Sequence, residues 1–276
     1  TNCVYLNGDE LIEGDVERKK TVNLIPSPYL NGMMDEFFEY PLSPMIETAR
    51  GCPFSCTFCA DGMVTKNKVT RFDGQRVRDE LFYISNRIKN IDELTITDLN
   101  FGMYRDDVKT AGYIAEIQES NNWPAIVRAS AGKNRPERVI ETAALLKGSW
   151  VIGSAIQSSD GDVLKNVKRS NISTAAYDEF LNFMNSLDKE AMTYTEIILA
   201  LPGDTKEKHL NSLKYGIDAQ VNSLRMYQAI LLCGTDMAST ETRQEHGLIT
   251  RFRIVPGGVG VYRFGNRDFP VAEIEE

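Results

Sequence analysis

The segment Gly51-Cys52-Pro53-Phe54-Ser55-Cys56-Thr57-Phe58-Cys59 carries three of the five cysteines of this 276-residue chain. Gly51 and Pro53 disfavour a regular helix through the first cysteine, so the three thiolates can surround one small metal centre from a single loop. A four-iron four-sulfur (4Fe-4S) cluster with three cysteine ligands keeps one iron open, as catalytic metal sites generally require. The sequence therefore predicts a catalytic 4Fe-4S cluster on Cys52, Cys56 and Cys59.

Two other interpretations of these cysteines are weaker. A structural zinc site needs four nitrogen or sulfur ligands, commonly in two closely spaced pairs. The only histidines, His209 and His246, are remote in sequence from the cysteines and lack paired ligand spacing. Three unrelated buried cysteines would have no reason to share one loop bordered by glycine and proline. The pattern favours the cluster over both.

Outward from this loop, short apolar runs alternate with longer stretches of helical periodicity, which is typical of strand–helix units and a parallel sheet. Parallel strands need crossover connections, and helices on one outer face curl such a sheet, so six units predict an α/β fold with a partial, open barrel. The predicted strands are residues 45–48, 94–98, 125–129, 150–156, 193–199 and 223–231. The predicted helices are residues 76–88, 107–119, 136–147, 174–187 and 207–219.

The chain divides into three predicted parts. Residues 1–44 form an irregular N-terminal extension with a hairpin around Asn7-Gly8-Asp9, and residues 45–233 form the barrel. Residues 234–276 form a small C-terminal extension, with a helix ending at His246 and two extended pieces joined by a turn at Pro256-Gly257-Gly258.

Composition restricts the partners of the chain. Thirty-one basic and 39 acidic side chains give a net charge of −8, which disfavours extensive nucleic-acid binding. No run approaches the roughly 18 apolar residues of a membrane span, and the N-terminal segment does not resemble a signal peptide. Because the cysteines do not form a secreted disulfide framework, we expect a cytoplasmic protein without a membrane partner.

The spacing Cys52-x-x-x-Cys56-x-x-Cys59, with Phe58 before the third cysteine and a strand before the loop, resembles the radical S-adenosylmethionine (radical SAM) superfamily over about residues 45–233. The resemblance implies a partial (β/α)6 TIM-like barrel whose open iron binds the amino and carboxylate groups of S-adenosylmethionine. One electron, supplied by a reducing donor such as flavodoxin or ferredoxin, then cleaves this cofactor to methionine and a 5′-deoxyadenosyl radical. The radical abstracts hydrogen from a small or medium organic substrate.

Active sites of such barrels collect at the C-terminal ends of the strands. The resemblance implies that Asp98 and Asn100 contact the methionine amino group, that Ser154 and Gln157 face the ribose, and that Arg169 reaches the methionine carboxylate. Each could instead cap backbone groups. The predicted cofactor-binding residues are Phe58, Asp98, Asn100, Arg128, Ser130, Ser154, Gln157, Arg169 and Glu196.

Chemistry supports three of these assignments. Arg128 follows an apolar run and can pair bidentately with a carboxylate, although a surface ion pair is the alternative. Glu196 would be costly to bury unpaired within an apolar strand, so we expect it to face a polar barrel interior. Phe58 offers a flat apolar surface for the nucleoside.

The segment Leu201-Pro202-Gly203-Asp204-Thr205 resembles a Leu-Pro-Gly-Glu-Thr segment common in cobalamin-binding radical enzymes and methylthiotransferases. Cys233 stands where that branch usually has proline, and we expect a small buried hydrophobe there. The chain has no Asp-x-His-x-x-Gly cobalamin loop, so either the cobalamin domain has been removed or the subfamily works without it. We expect a transferase that moves a methyl group if that domain exists elsewhere. Methylthiotransferase-like sulfur insertion and a non-catalytic iron–sulfur electron-transfer module are the alternatives.

Overall fold

The computed structural model describes residues 3–15, 21–153, 155–171, 174–187 and 193–276. The strands are β1 (Val4–Asn7), β2 (Glu10–Glu13), β3 (Met45–Ile46), β4 (Ala49–Arg50), β5 (Thr70–Arg71), β6 (Glu93–Phe101), β7 (Ile126–Ala131), β8 (Trp150–Gly153), β9 (Thr193–Leu199), β10 (Ser223–Gln228), β11 (Phe252–Phe264) and β12 (Arg267–Glu275). The helices are α1 (Gly74–Ser85), α2 (Arg105–Asn121), α3 (Pro136–Leu145), α4 (Gly161–Asn166), α5 (Thr174–Leu187), α6 (Lys206–Asp218) and α7 (Thr240–Glu245).

Six strands form one parallel sheet in the order β10-β9-β8-β7-β6-β3. Each strand neighbours the next one of the sheet along the chain, and helices provide the crossovers, as parallel pairing requires. Because β3 and β10 lie at opposite edges, the sheet stays open. The fold is an α/β partial barrel of six strand–helix units, which confirms the predicted fold class.

Local sequence explains where the crossover helices begin. The Asp73 side chain accepts a hydrogen bond from the backbone N–H of Gln75 at 2.9 Å and caps α1. Thr205 accepts from Lys208 at 3.2 Å and caps α6. Both caps satisfy backbone donors that a helix leaves free at its first turn. Pro136 begins α3, where a missing N–H has no cost.

The apolar core lies between the sheet and these helices. In β7 burial alternates strictly, with Val127, Ala129 and Ala131 buried and the residues between them exposed. Buried side chains such as Ile114 and Ile117 of α2 join the same core. Because side chains alternate across a strand, the intervening residues face the concave, open side of the sheet. That side is therefore available for polar chemistry.

The predicted elements differ from the structure mainly at their ends. The predicted bounds of α5 and β9 are those observed, whereas β3 is two residues long, β6 extends to Phe101 and β10 ends at Gln228. The short helix α4 is not among those predicted. The hairpin around Asn7-Gly8-Asp9 is confirmed by the pairing of β1 with β2.

The turn predicted at Pro256-Gly257-Gly258 is wrong. Strands β11 and β12 pair from Phe252–Glu275 to Phe264–Arg267, and the chain reverses at Gly265, whose φ is +56°. The Pro256–Gly258 stretch instead lies at a register shift between Ile254 and Val259. Proline has no N–H for the ladder and Gly257 has φ +75°, so the pair forms a bulge inside a strand. Among the described residues, no helix has the length and apolarity needed to span a membrane.

Candidate active site

The cysteine loop, residues 51–69, is closed at its base by the antiparallel pair β4 and β5. We call this pair the clasp. The first residue of the loop is Gly51, whose φ is +97° and whose hypothetical Cβ would lie 2.3 Å from the carbonyl oxygen of Lys68. The backbone N–H of Cys52 donates to the carbonyl of Lys66 at 3.3 Å. The loop therefore excludes any side chain at position 51.

Inside the loop, short backbone hydrogen bonds order the cysteines. The N–H of Cys59 donates to the Cys56 carbonyl at 3.1 Å, and the N–H of Gly62 donates to the Cys59 carbonyl at 3.0 Å. A Cβ on Gly62 would lie 2.4 Å from the Cys56 carbonyl oxygen, so the turn is packed against the second cysteine. Cys52 and Cys56 are buried and Cys59 is half-buried.

The thiols of the cysteine loop are arranged for a cluster and not for a single metal ion. Within the described residues, no three His, Cys, Asp or Glu side chains converge closely enough to hold a single metal ion. In a cubane cluster each cysteine binds a different iron, so the thiolates need not converge on one point. The three cysteines lie on one ordered loop, and two of them, Cys52 and Cys59, line a cavity. Their thiolates are a donor set that fits such a cluster.

Asp98, at the middle of β6, is buried and accepts hydrogen bonds from the two residues that lead into the cysteine loop. Its Oδ1 accepts hydrogen bonds from the backbone N–H groups of Thr48 at 2.7 Å and Ala49 at 3.1 Å, and its Oδ2 accepts from the Thr48 hydroxyl. Burial raises the pKa of Asp98 to about 6, against the lowering effect of these hydrogen bonds. All of its described hydrogen-bond partners lie at the clasp, and Asp98 does not line the cavity described below. Its predicted contact with the methionine amino group stays a prediction.

Asn100 is buried two residues further along β6, beside the first cysteine. Its side-chain Nδ2 donates to the Sγ of Cys52 at 3.3 Å. Its Oδ1 is buried without a hydrogen-bond partner among the described residues. A buried amide oxygen without a partner is costly in a finished protein, so this atom is available to a ligand.

Arg169 places a buried cation next to the cysteines. Its Nε donates to Asn171 Oδ1 at 2.8 Å, its Nη2 donates to the carbonyl of Ala155, and its guanidinium also donates to the thiol of Cys56. Burial lowers the pKa of Arg169, and negative charge on the cysteine sulfurs opposes this effect. The guanidinium is thus positioned to offset negative charge at the cysteine loop.

A cavity of about 560 Å³ lies against the C-terminal ends of β7 and β8 and the first half of β9. Cys52 and Cys59 line it from the loop, and the sheet side contributes Ser130, Gly153, Gln157, Arg169, Tyr194 and Glu196. Gln157 has φ +64°, and its Oε1 is buried without a partner among the described residues. Volumes of 300–1,000 Å³ are usual for small-molecule and cofactor sites. The cavity can hold a nucleoside-sized cofactor next to the cysteines.

The structure brings some of the predicted residues together and separates others. Ser130, Gln157, Arg169 and Glu196 line the same cavity as Cys52 and Cys59, whereas Ser154 lies outside the described residues. Arg128 forms an ion pair with Glu93, with Nε 2.6 Å from Oε2, and does not line the cavity. Phe58 packs against a separate apolar cluster of Val163, Val167, Leu201, Ala229, Leu231 and Met237.

Two further results concern residues that sequence reasoning missed or misassigned. Tyr194 lines the cavity but is absent from the predicted set, although it precedes Glu196 by two positions and so shares its face of the strand.

Cys233 is exposed, so the expectation of a buried hydrophobe there is wrong. Strand β10 ends five residues earlier than Cys233, which places the thiol in a surface turn outside the core.

Comparisons with known proteins agree with this geometry. No protein-family model matches the chain. The cobalamin-dependent radical SAM methyltransferase TokK of Streptomyces tokunonensis is 31% identical over 95% of this chain. The 2-(S-pantetheinyl)-carbapenam-3-carboxylate methyltransferase of Streptantibioticus cattleyicolor is 29% identical over 88% of this chain. The chain spans 39% and 37% of the lengths of these two relatives.

Among solved structures, the chain resembles the radical S-adenosylmethionine methyltransferase TsrM from Kitasatospora setae, whose structure contains cobalamin and a [4Fe-4S] cluster. The TM-score is 0.64, the sequence identity is 13%, and the match covers 82% of this chain and 40% of TsrM. At this identity the likeness concerns the fold alone.

Proposed function

The chain belongs to the radical S-adenosylmethionine superfamily, and on that basis we propose that it cleaves S-adenosylmethionine reductively and methylates a small organic substrate. The observation that carries the proposal is the shared cavity: Cys52 and Cys59 line it together with polar residues of β7, of β9 and of the segment that follows β8. The Streptomyces tokunonensis relative is named a radical SAM methyltransferase and the Streptantibioticus cattleyicolor relative a methyltransferase, and both are more similar to this chain than a tRNA methylthio synthase of Symbiobacterium thermophilum at 23% identity, which favours methyl transfer over sulfur insertion. A purely electron-transferring module would not need such a cavity.

Cys52, Cys56 and Cys59 would hold the 4Fe-4S cluster, which supplies the electron that breaks a carbon–sulfur bond of S-adenosylmethionine. Cobalamin would serve as methyl carrier, as the name of one relative suggests, and no described residue is assigned to it. The reducing partner would be a flavodoxin or ferredoxin. A cluster with an open iron also suits a reducing compartment such as the cytoplasm.

The chain's own residues would bind and orient the cofactor. The free Oε1 of Gln157 can accept a hydrogen bond from a ribose hydroxyl or an adenine amino group, and Ser130 lies on the same cavity wall. Glu196 would face the positively charged amino group of the methionine moiety, while Arg169 would offset negative charge near the cysteines. The lining of the cavity supports these roles.

The substrate is proposed to be a small organic acid. The Streptantibioticus cattleyicolor relative is named for a carbapenam carboxylate, a compound of that class. The net charge of −8 fits a small-molecule substrate better than an RNA one, because a polyanion would be repelled.

The test is anaerobic reconstitution of the chain with iron and sulfide, followed by incubation with S-adenosylmethionine, dithionite and added cobalamin. We expect 5′-deoxyadenosine from the isolated chain, and a methylated product from a suitable acid only when a cobalamin-binding domain is supplied with it, both measured by mass spectrometry. Replacement of Cys52, Cys56 or Cys59 with alanine should abolish the intact cluster and the cleavage. Cys233→Ala is the matched control because this cysteine is exposed and outside the loop, and it should keep full iron content. Full iron content in all three loop variants, or no cleavage by the reconstituted chain, would contradict the proposal.

A further inference from the structure

The concave face of the sheet carries a tyrosine–arginine pair next to the cavity. The ring of Tyr194 lies directly over Gly153, since a Cβ on this glycine would come within 2.1 Å of the ring carbon Cζ. On strand β10, the guanidinium carbon of Arg225 lies 3.8 Å from the centroid of the same ring. The tyrosine is thus packed against Gly153 and also stacked with the guanidinium of Arg225.

Register places this guanidinium on the same side as the cavity. Arg225 is the Cα partner of Glu196 in the parallel pair of β10 with β9. Partner residues of neighbouring strands point to the same face of a sheet, and Glu196 lines the cavity. Arg225 itself is exposed and does not line the cavity, whereas Tyr194, the ring on which it stacks, does.

Arg225 has no acidic partner within ion-pair distance among the described residues. No carboxylate of the described residues lies within 4.0 Å of its guanidinium nitrogens, whereas Arg128 on the same face is paired with Glu93. Burial and the charge of Glu196 raise the pKa of Tyr194, while Arg225 and Arg128 act in the opposite direction. Both guanidiniums therefore lie close enough to Tyr194 to influence its hydroxyl, and only one of them has an acidic partner in the described chain.

Stacking on an aromatic ring fixes the plane of a guanidinium and leaves its N–H edge free. Such an edge matches the two oxygens of a carboxylate bidentately. We propose that Arg225, held in place by Tyr194, is the carboxylate-binding subsite for the substrate, adjacent to the cavity for S-adenosylmethionine. The inference rests on the proposed function, because it presumes that an organic acid reacts in this cavity. A substrate carboxylate bound next to Glu196 on the neighbouring strand would face a second carboxylate. Repulsion between the two negative charges would disfavour that binding position.

The experiment compares an acid with its neutral ester. The probes are 2-(S-pantetheinyl)-carbapenam-3-carboxylate, the compound in the name of one relative, and its methyl ester. Binding of each probe to the reconstituted protein is measured by calorimetry, so that the result does not depend on turnover. Variants Arg225→Gln and Arg225→Lys are compared with the wild type. The matched control is Arg87→Gln, because Arg87 is also stacked on a tyrosine, 3.5 Å from the centroid of Tyr83, but lies on another surface.

We expect the wild type to prefer the acid over the ester. Arg225→Gln should weaken binding of the acid about 10- to 100-fold and leave binding of the ester unchanged, because one bidentate charged contact is lost. Arg225→Lys should fall in between, and Arg87→Gln should behave as the wild type. Equal binding of acid and ester by the wild type, or equal weakening of both by Arg225→Gln, would overturn the proposal.

The two proposals fail in different ways. Formation of 5′-deoxyadenosine without added substrate reports on the cluster and the cofactor cavity, and the control variant Arg87→Gln should leave it unchanged. If cleavage is absent while the acid still binds through Arg225, the proposed function fails and the subsite stands. If cleavage occurs and the acid shows no dependence on Arg225, only the subsite fails.

Discussion

Replacing Asp98 with asparagine should remove a pH-dependent cost from the folded protein. The pKa of Asp98 is about 6 in the folded state against an ordinary value of 3.8. The folded protein therefore binds the proton more tightly than the unfolded chain. Stability from this group is fully present below about pH 4 and is lost as the pH rises through 6.

The magnitude follows from the shift. A pKa difference of about 2 units corresponds to about 3 kcal/mol across the whole window, of which about 1.3 kcal/mol falls between pH 5 and pH 7. Asparagine can keep the contacts, because its oxygen can accept from the N–H groups of Thr48 and Ala49 while its amide donates to the Thr48 hydroxyl. The free energy of unfolding of Asp98→Asn, minus that of the wild type, should therefore increase by about 1.3 kcal/mol from pH 5 to pH 7.

The assay is urea unfolding of the cluster-free protein, followed by tryptophan fluorescence at several pH values. Taking the difference between variant and wild type cancels the other titrating groups. Asp178→Asn is the control, because this aspartate is exposed and water surrounds it in both states. A difference that stays constant or shrinks between pH 5 and pH 7 would refute the reasoning that burial dominates at Asp98.

Three other variants test the loop and the concave face. Gly51→Ala should lower the iron content after reconstitution and cost about 1–3 kcal/mol of stability, because its Cβ would collide with backbone, whereas Gly74→Ala, with open space around it, should keep both. Asn100→Leu removes the N–H donor to the Sγ of Cys52, a hydrogen bond that favours the more negative reduced cluster. The midpoint potential of the cluster should therefore fall by about 20–65 mV in an EPR-monitored redox titration. An unchanged potential would exclude that role of Asn100. Gly153→Ala should displace the tyrosine ring above it and weaken binding of the carboxylate probe in calorimetry; unchanged affinity would show that the ring position does not matter.

Much of the fold could be predicted from the sequence because its signals are local. Helix α5 and strand β9 were predicted with their observed bounds, since apolar periodicity changes sharply at their ends. The turn of the C-terminal hairpin was misplaced because Pro256 and Gly257 are turn residues in most contexts, and only pairing with a later strand makes them a bulge. Pairing over such a distance is not encoded in the segment itself.

The site could be predicted in part for the same reason. Three cysteines at short spacing identify their own loop, and the rule that active sites lie at strand ends selected Ser130, Gln157 and Glu196. The rule gives the end of the sheet but not the direction of each side chain. It therefore could not distinguish Asp98, whose partners are backbone N–H groups at the clasp, from residues that line the cavity.

The pair of Tyr194 and Arg225 was beyond sequence reasoning. It depends on the register of β10 against β9 and on the absence of a side chain at Gly153, one strand away in the opposite direction. Three strands must be aligned before the contact exists. Likewise, the position of Phe58 beside Cys59 does not reveal the apolar cluster against which it packs, and its contact with the nucleoside stays a prediction.

The clasp orders the cysteine loop before the cluster is assembled. By holding together the ends of the cysteine loop, residues 51–69, the β4–β5 pair removes a loop-closure entropy of about 2.6 kcal/mol before any metal arrives. Because closure entropy grows only logarithmically, doubling the stretch after Cys59 would cost no more than about 0.6 kcal/mol. Loop length is therefore free to vary, whereas the two short strands at its base are not.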